Sequence, residues 1–270
     1  MERILDGKKF YIGVDCEGAA CVVGEPGKGL GQGGQYRFAV QQAAREANAA
    51  AQELFELGAE TVVIWDNHGN GCNFDYELLD SRVNIALGSG HRGRFPLLDE
   101  DYAGVMFIGY HARENTAGAV LAHTYSSAAY QYYKLNGREV GEMEVDAAFA
   151  ALKEVPVMFC ASDYCGIRQA KESFPWVETV VTKKGMSWTS AVSKHPLAVC
   201  EEIRETVRRA ALRLEEMECY RLPSPLEVEI RYKRMEDASR AILVDWEGKP
   251  FALSDAFTRK GIMNSIEGLF

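Results

Sequence analysis

Three short apolar runs in the N-terminal half each end in side chains that can hold a metal ion. Lys8 to Asp15 (KKFYIGVD) leads into Asp15-Cys16-Glu17, Thr61 to Asp66 (TVVIWD) into Asp66-Asn67-His68, and Val105 to Tyr110 (VMFIGY) into Tyr110-His111. Residues i and i+2 of an extended chain point the same way, so Asp15 and Glu17 can face one centre while Cys16 turns into the core. The turn formers Asn67, Gly69, Asn70 and Gly71 surround His68 and can aim its imidazole. His123 follows the short apolar run Ala119 to Ala122, and Glu142 opens a helical stretch, where the helix dipole favours a carboxylate in any case. Each of these residues alone has an ordinary structural explanation; their joint pattern points to chemistry. Imidazoles and carboxylates without a thiolate suit zinc, manganese or cobalt, whereas calcium or magnesium draws more oxygen ligands. Other arrangements are weak: there is no GxSxG elbow, no HExxH pair and no cysteine with an obvious histidine partner. His91 reads as a surface-loop residue, His195 as a helix-start residue, and Glu144 and Asp146 as solvent-facing neighbours of Glu142.

The elements that must position these residues alternate. Val155 to Ala161 and Val177 to Thr182 continue the series of apolar runs, whose length suits strands buried on both faces. Between the runs lie helical stretches at Tyr36 to Leu57, which stops before Gly58, at Glu142 to Leu152, and at Pro196 to Met217. In the last, Cys200, Ile203, Val207, Ala210, Leu214 and Met217 form one stripe, and Pro196 fits the first turn. The alternation predicts an α/β fold, three-layer α/β/α, with a largely parallel or mixed sheet. In an open sheet of this kind the carboxyl ends of the strands line the crevice where ligands sit, so separate strands can deliver Asp15, Glu17, His68 and His111 to one edge. RLPSP (221–225) reads as a linker, which divides a metal-binding unit, 1–220, from a small C-terminal subdomain, 221–270. In the latter, LEVEIRYKR alternates like an edge or antiparallel strand, and Met235 to Val244 reads as a helix. Gly24 to Gly34 (GEPGKGLGQGG) must be a loop. It fails the P-loop pattern because Lys28 is followed by Gly29, and it reads as a mobile surface loop before it reads as a lid.

With 270 residues, 47% of them hydrophobic, the chain can bury one large core with or without an appendage. A net charge of -9 argues against a general grip on nucleic acid. No apolar run reaches the roughly 18 residues of a membrane span, and Met1 to Lys9 lacks the apolar stretch of a signal peptide. Seven cysteines without a CxxC pair read as free thiols of a reducing, cytoplasmic compartment.

The segments VDCEG, DNHGN, GYHA, the following His-Thr-Tyr-Ser and NGREVGEMEVDA, in this order from Asp15 to Asp146, resemble the DppA-type D-aminopeptidases, peptidase family M55. The ordered set is specific where no single motif is, and the last fifty or so residues carry little of it. The resemblance implies a two-zinc hydrolase on an α/β fold that assembles into a decameric ring. Asp15 would bridge both ions, Glu17 and His111 would complete one site and His68 and Glu142 the other, and His123 would match the catalytic histidine. Two ions bridged by one carboxylate lie about 3.5–4 Å apart and bring bound water towards a pKa of about 7, supplying hydroxide for attack on an amide. His123 would then stabilise the oxyanion or protonate the leaving amine. The implied activity is removal of an N-terminal residue, a D-amino acid, from short peptides or amino-acid amides, with manganese or cobalt as alternatives to zinc. Two other readings of the same residues stand beside it: a two-metal phosphoesterase, for which Arg113 is the only close basic group, and a ring-forming metal- or peptide-binding protein without turnover. The stretch from His111 to His123 is one residue longer than the family leads one to expect. Trp65 and Glu144 also differ from its surroundings, which leaves substrate identity open.

Overall fold

The computed structural model describes residues 3–31 and 33–270. Its centre is a six-stranded sheet built from β1 (Lys9–Val14), β2 (Thr61–Asp66), β3 (Asn84–Ala86), β4 (Tyr102–Tyr110), β7 (Val157–Ser162) and β8 (Glu178–Val181). The order is β3-β2-β1-β4-β7-β8 and every pairing is parallel. The strands are apolar on both sides because both sides are covered. Phe10, Ile12, Val14, Met106 and Ile108 pack on helices α1 (Tyr36–Glu56) and α4 (Pro196–Leu212). Tyr11, Val105 and Phe107 point the other way, toward α2 (Glu142–Ala151) and α3 (Tyr164–Ser173). These are the expected three layers, with a sheet that is parallel throughout. Among the described residues, no helix is long and apolar enough to cross a membrane.

A second, antiparallel sheet packs on the α2 side. It contains β5 (Tyr130–Leu135), β6 (Arg138–Val140), β11 (Leu226–Tyr232), β12 (Ala252–Asp255) and β13 (Thr258–Met263), in the order β12-β13-β11-β5-β6. The expected break at residue 220 therefore does not separate the sheets, because the C-terminal strands pair through β11 with residues 130–135. A hairpin of β9 (Lys183–Ser187) and β10 (Ser190–Ser193) projects after β8.

Some boundaries differ from the sequence reading for local reasons. Helix α4 stops at Leu212 and continues only as a 3-10 turn, Leu214–Glu216. The helix expected over Met235 to Val244 is the short α5 (Met235–Arg240). The Arg259 guanidinium bonds the carbonyls of Ala238 and Ser239 at 2.5 and 3.0 Å, taking up acceptors that would otherwise ask for another helical turn. Helix α3 was not anticipated: YCGIRQAKES has few apolar residues, but Asp163 caps it by accepting the Gly166 N–H at 2.7 Å.

Candidate metal centre

The strand order reverses between β1 and β4, the position at which loops on either side diverge and leave a crevice. Two glycines let the chain ends close around it. A Cβ on Gly18 would lie 1.9 Å from the Tyr110 carbonyl oxygen, and one on Gly109, at φ +71°, would lie 2.0 Å from that of Asp15. With no side chains there, the Gly18 N–H donates to Gly109 O at 2.6 Å and the Asp15 N–H to Ile108 O at 2.9 Å. The loops carrying Asp15 and His111 thus lie against each other.

Five of the sequence-predicted residues meet here. Asp15, Glu17, His111 and Glu142 are buried and His68 is nearly so; Cys16 faces the core as expected. Each oxygen of Asp15 faces a different imidazole: Oδ1 lies 2.9 Å from His68 Nδ1, and Oδ2 lies 3.4 Å from His111 Nε2. Glu17 Oε2 is 3.3 Å from the same nitrogen of His68, and Glu142 Oε1 is 3.3 Å from the same nitrogen of His111. These contacts place Glu17 beside His68 and Glu142 beside His111. Ligand atoms of Asp15, Glu17 and His111 also lie within 4.8 Å of one another, as do those of His111, His123 and Glu142, so the two halves adjoin.

The histidines are held by their backs. His111 Nδ1 lies 3.0 Å from Ala112 O and His123 Nδ1 lies 2.7 Å from Leu121 O, which fixes both as donors there and turns both Nε2 atoms to the centre. The two rings stack with centroids 3.9 Å apart, and His123 Nε2 is 4.0 Å from Glu142 Oε1. Glu142 sits in the first turn of α2 and accepts the Tyr125 N–H at 2.8 Å. Asp66, the strand-end carboxylate not assigned to metal, is structural: it accepts the N–H groups of Asn73 and Phe74 at 2.6 and 3.0 Å and shapes the turn that presents His68.

The centre is short of positive charge. Burial pushes the Asp15 carboxyl up, yet the adjacent His111 and His68 imidazoles more than reverse this and hold it well below its ordinary range. Burial lowers the His68 imidazole, but the Glu17 charge and the Asp15 carboxylate beside it outweigh this and carry it up to about 12. His111 likewise goes well above its ordinary value against its own burial. Glu17 Oε2 and His111 Nε2 are also buried without a hydrogen-bond partner, as lone pairs directed at a divalent ion would be. The residues present fit zinc.

Two supports were not anticipated from the sequence. Lys183 is 2% exposed, and its ammonium donates to the carbonyls of Glu17 and Ala19 at 2.6 and 2.5 Å. Burial pulls it down to about 8. Asp146 is not solvent-facing but fully buried; Arg94 Nε and Nη2 donate to its two oxygens at 2.6 and 3.0 Å, and Tyr110 OH donates at 2.6 Å. Glu144 is also buried; it accepts the Gly141 N–H at 2.9 Å and so caps α2. The i+4 spacing of Glu142 and Asp146 was a signal for the second support; Arg94, in a glycine-flanked loop, offered none. His91 and His195 are exposed and away from the centre, His195 accepting the Leu197 N–H at 3.2 Å at the start of α4.

The Gly24–Gly34 loop is not a detached surface loop. Gln35 Oε1 accepts the N–H groups of Val23 and Gly24 at 2.8 and 3.0 Å, and the loop lines a cavity of about 220 Å³ that also touches Glu17 and His123.

The family described as D-aminopeptidase, Peptidase_M55, matches residues 8–248. A D-aminopeptidase of Bacillus subtilis (strain 168) is 31% identical over 184 residues, 66% of this chain and 65% of that protein, so the alignment spans slightly under two thirds of the relative's length. A solved structure, described as the zinc-dependent D-aminopeptidase DppA from Bacillus subtilis, a self-compartmentalizing protease, superposes with a TM-score of 0.86 at 23% identity. That superposition covers 96% of this chain and 93% of the other.

Proposed function

The chain belongs to the M55 family of D-aminopeptidases, and we propose that it is a metal-dependent aminopeptidase that removes an N-terminal D-residue from short peptides or amino-acid amides. The observation that carries this reading is the divided Asp15 carboxylate, one oxygen toward His68 and the other toward His111, with Glu17 Oε2 and His111 Nε2 buried beside it without a hydrogen-bond partner. Asp15 would bridge two zinc ions, Glu17 and His111 would complete one position, and His68 and Glu142 the other. Bound there, zinc supplies Lewis acidity toward the scissile carbonyl and makes water acidic enough to attack near neutral pH. His123 is the proton-handling group. Its Nδ1 is committed to Leu121 O, so Nε2 alone faces the cavity, where it donates to the developing oxyanion or to the leaving amine.

The same reading includes a homo-oligomer, a ring of ten subunits in its fullest form, and a reducing, cytoplasmic location in keeping with seven unpaired cysteines. The deciding experiment is a hydrolysis screen of paired D- and L-aminoacyl amides and dipeptides, with metal analysis of the same sample. Turnover of D-compounds by protein carrying zinc supports the reading; full metal occupancy with no turnover of any amide refutes it.

A further inference from the structure

We propose that Lys28 receives the free α-carboxylate of the substrate, so that the preferred substrate is a di- or tripeptide acid and not an amide or a longer chain; this rests on the peptidase reading above. The cavity beside the metal centre is bounded by Glu17, His123, Ser127, Lys28, Leu30 and Trp188 among others, and holds about 220 Å³. Pockets for drug-sized ligands run from about 300 Å³ upward, so this one suits a very short peptide.

Charge makes the second half of the argument. A peptide acid brings an anion to a chain of net charge -9 and into a cavity that already contains the Glu17 carboxylate. Among the described residues lining that cavity, Lys28 is the only lysine or arginine. Its ammonium lies 2.9 Å from Glu25 Oε2, in a pair whose side chains are 58% and 34% exposed. Such a surface pair holds weakly, and an ammonium has three donors, so Lys28 can serve a substrate carboxylate with or without releasing Glu25.

The loop brings Lys28 to the cavity in a defined shape. Glu25 and Gly29 form a β-bridge, Glu25 Oε1 also accepts the Gly34 N–H, and Gln35 holds the base of the loop. Gly29 has φ +65°, and a Cβ there would lie 3.4 Å from the Trp188 ring, so the loop packs against the indole. Trp188 in turn accepts the Leu121 N–H at 2.9 Å and donates from Nε1 to Ala122 O at 3.2 Å. The wall that carries Lys28 is thereby tied to the segment that presents His123.

The test compares a D-alanyl dipeptide having a free carboxylate with the same dipeptide as its C-terminal carboxamide, on zinc-loaded protein. The wild type should prefer the acid by roughly ten- to hundredfold in kcat/KM, the range for a hydrogen bond to a charged group, with most of the difference in KM. Lys28→Met should bring the acid-to-amide ratio close to one, and Lys28→Arg should restore most of it. Equal rates on acid and amide in the wild type overturn the proposal. So does a Lys28→Met variant that slows both compounds by the same factor, since the loop's shape and not its charge would then be at work. Cleavage of neither compound overturns the peptidase reading and the role of Lys28 with it.

Discussion

Arg94→Met should destabilise the metal-free protein by about 3–5 kcal/mol at neutral pH, the usual cost of removing one partner of a buried ion pair. The Arg94 side chain is 12% exposed and the Asp146 side chain 0%. Arg94 satisfies both Asp146 oxygens, bonds Asn67 Oδ1 at 2.6 Å and lies 4.6 Å from the Trp65 ring centre. Without it, the Tyr110 hydroxyl is the one remaining hydrogen-bond donor described for that carboxylate. The loss has a definite dependence on pH. Burial raises the Asp146 carboxyl above its ordinary value of 3.8 even though Arg94 pulls it down, so removing Arg94 raises it further. A folded-state pKa above the unfolded one means that the folded protein holds the extra proton, so stability falls as pH rises through that interval. The variant's deficit should therefore be largest at neutral pH and shrink as the pH falls and Asp146 takes up a proton. Urea unfolding of chelator-treated protein at pH 5 and pH 7.5 measures this without the added stability that bound metal supplies. At about 2–4 °C per kcal/mol for a chain of this size, the midpoint should drop by on the order of 10 °C at the higher pH. A deficit below about 1 kcal/mol, or one that does not change with pH, would refute the reasoning, because either result means that Asp146 is not a buried anion dependent on Arg94.

Chelation should abolish peptide hydrolysis and lower thermal stability, and zinc, manganese or cobalt should restore both; undiminished turnover by protein shown to be metal-free would rule out the mechanism. His123→Ala should retain metal and lose roughly 10²–10³-fold in kcat, whereas loss of metal would make His123 a ligand, a role that its closeness to His111 and Glu142 also permits. Asp15→Ala should empty both metal positions, since it removes a ligand from each ion and the negative charge between them; Glu17→Ala should empty only the half shared with His111, leaving the position of His68 and Glu142 at least partly filled. Metal content of folded protein by mass spectrometry decides the last pair, and loss of one ion from Asp15→Ala or of both from Glu17→Ala contradicts the bridging assignment.

Five strands of the parallel sheet could be read from the sequence as apolar runs, with the candidate ligands as polar residues just beyond three of them, whereas the three-residue, partly exposed edge strand β3 could not. The second sheet could not. Its pairing joins Val228 to Leu135 and Ile230 to Tyr133 across long stretches of chain, and nothing local to YQYYKL announces that partner. Lys183 and Arg94 were hidden for a related reason: a lysine or arginine reads as solvated, and only tertiary packing closes water away from it.

The supports nevertheless follow a rule that the ligands obey in reverse. Asn67 precedes His68, Tyr110 precedes His111, and Asp146 lies one helical turn beyond Glu142. Adjacent residues at a strand end point to opposite sides, so when His68 and His111 face the metal crevice, Asn67 and Tyr110 face away from it together. There the Asn67 amide donates to Tyr110 OH at 3.0 Å, Tyr110 OH donates to Asp146, and Arg94 spans Asn67 and Asp146. One buried network thus fixes the three segments that deliver His68, His111 and Glu142. A metal position built from separate strands depends on their relative placement as much as on the ligands themselves. Arg94→Met should therefore also weaken zinc binding in protein that is still folded, although Arg94 touches no ligand; zinc affinity equal to the wild type in a chelator competition would show that the network stabilises the fold without positioning the metal.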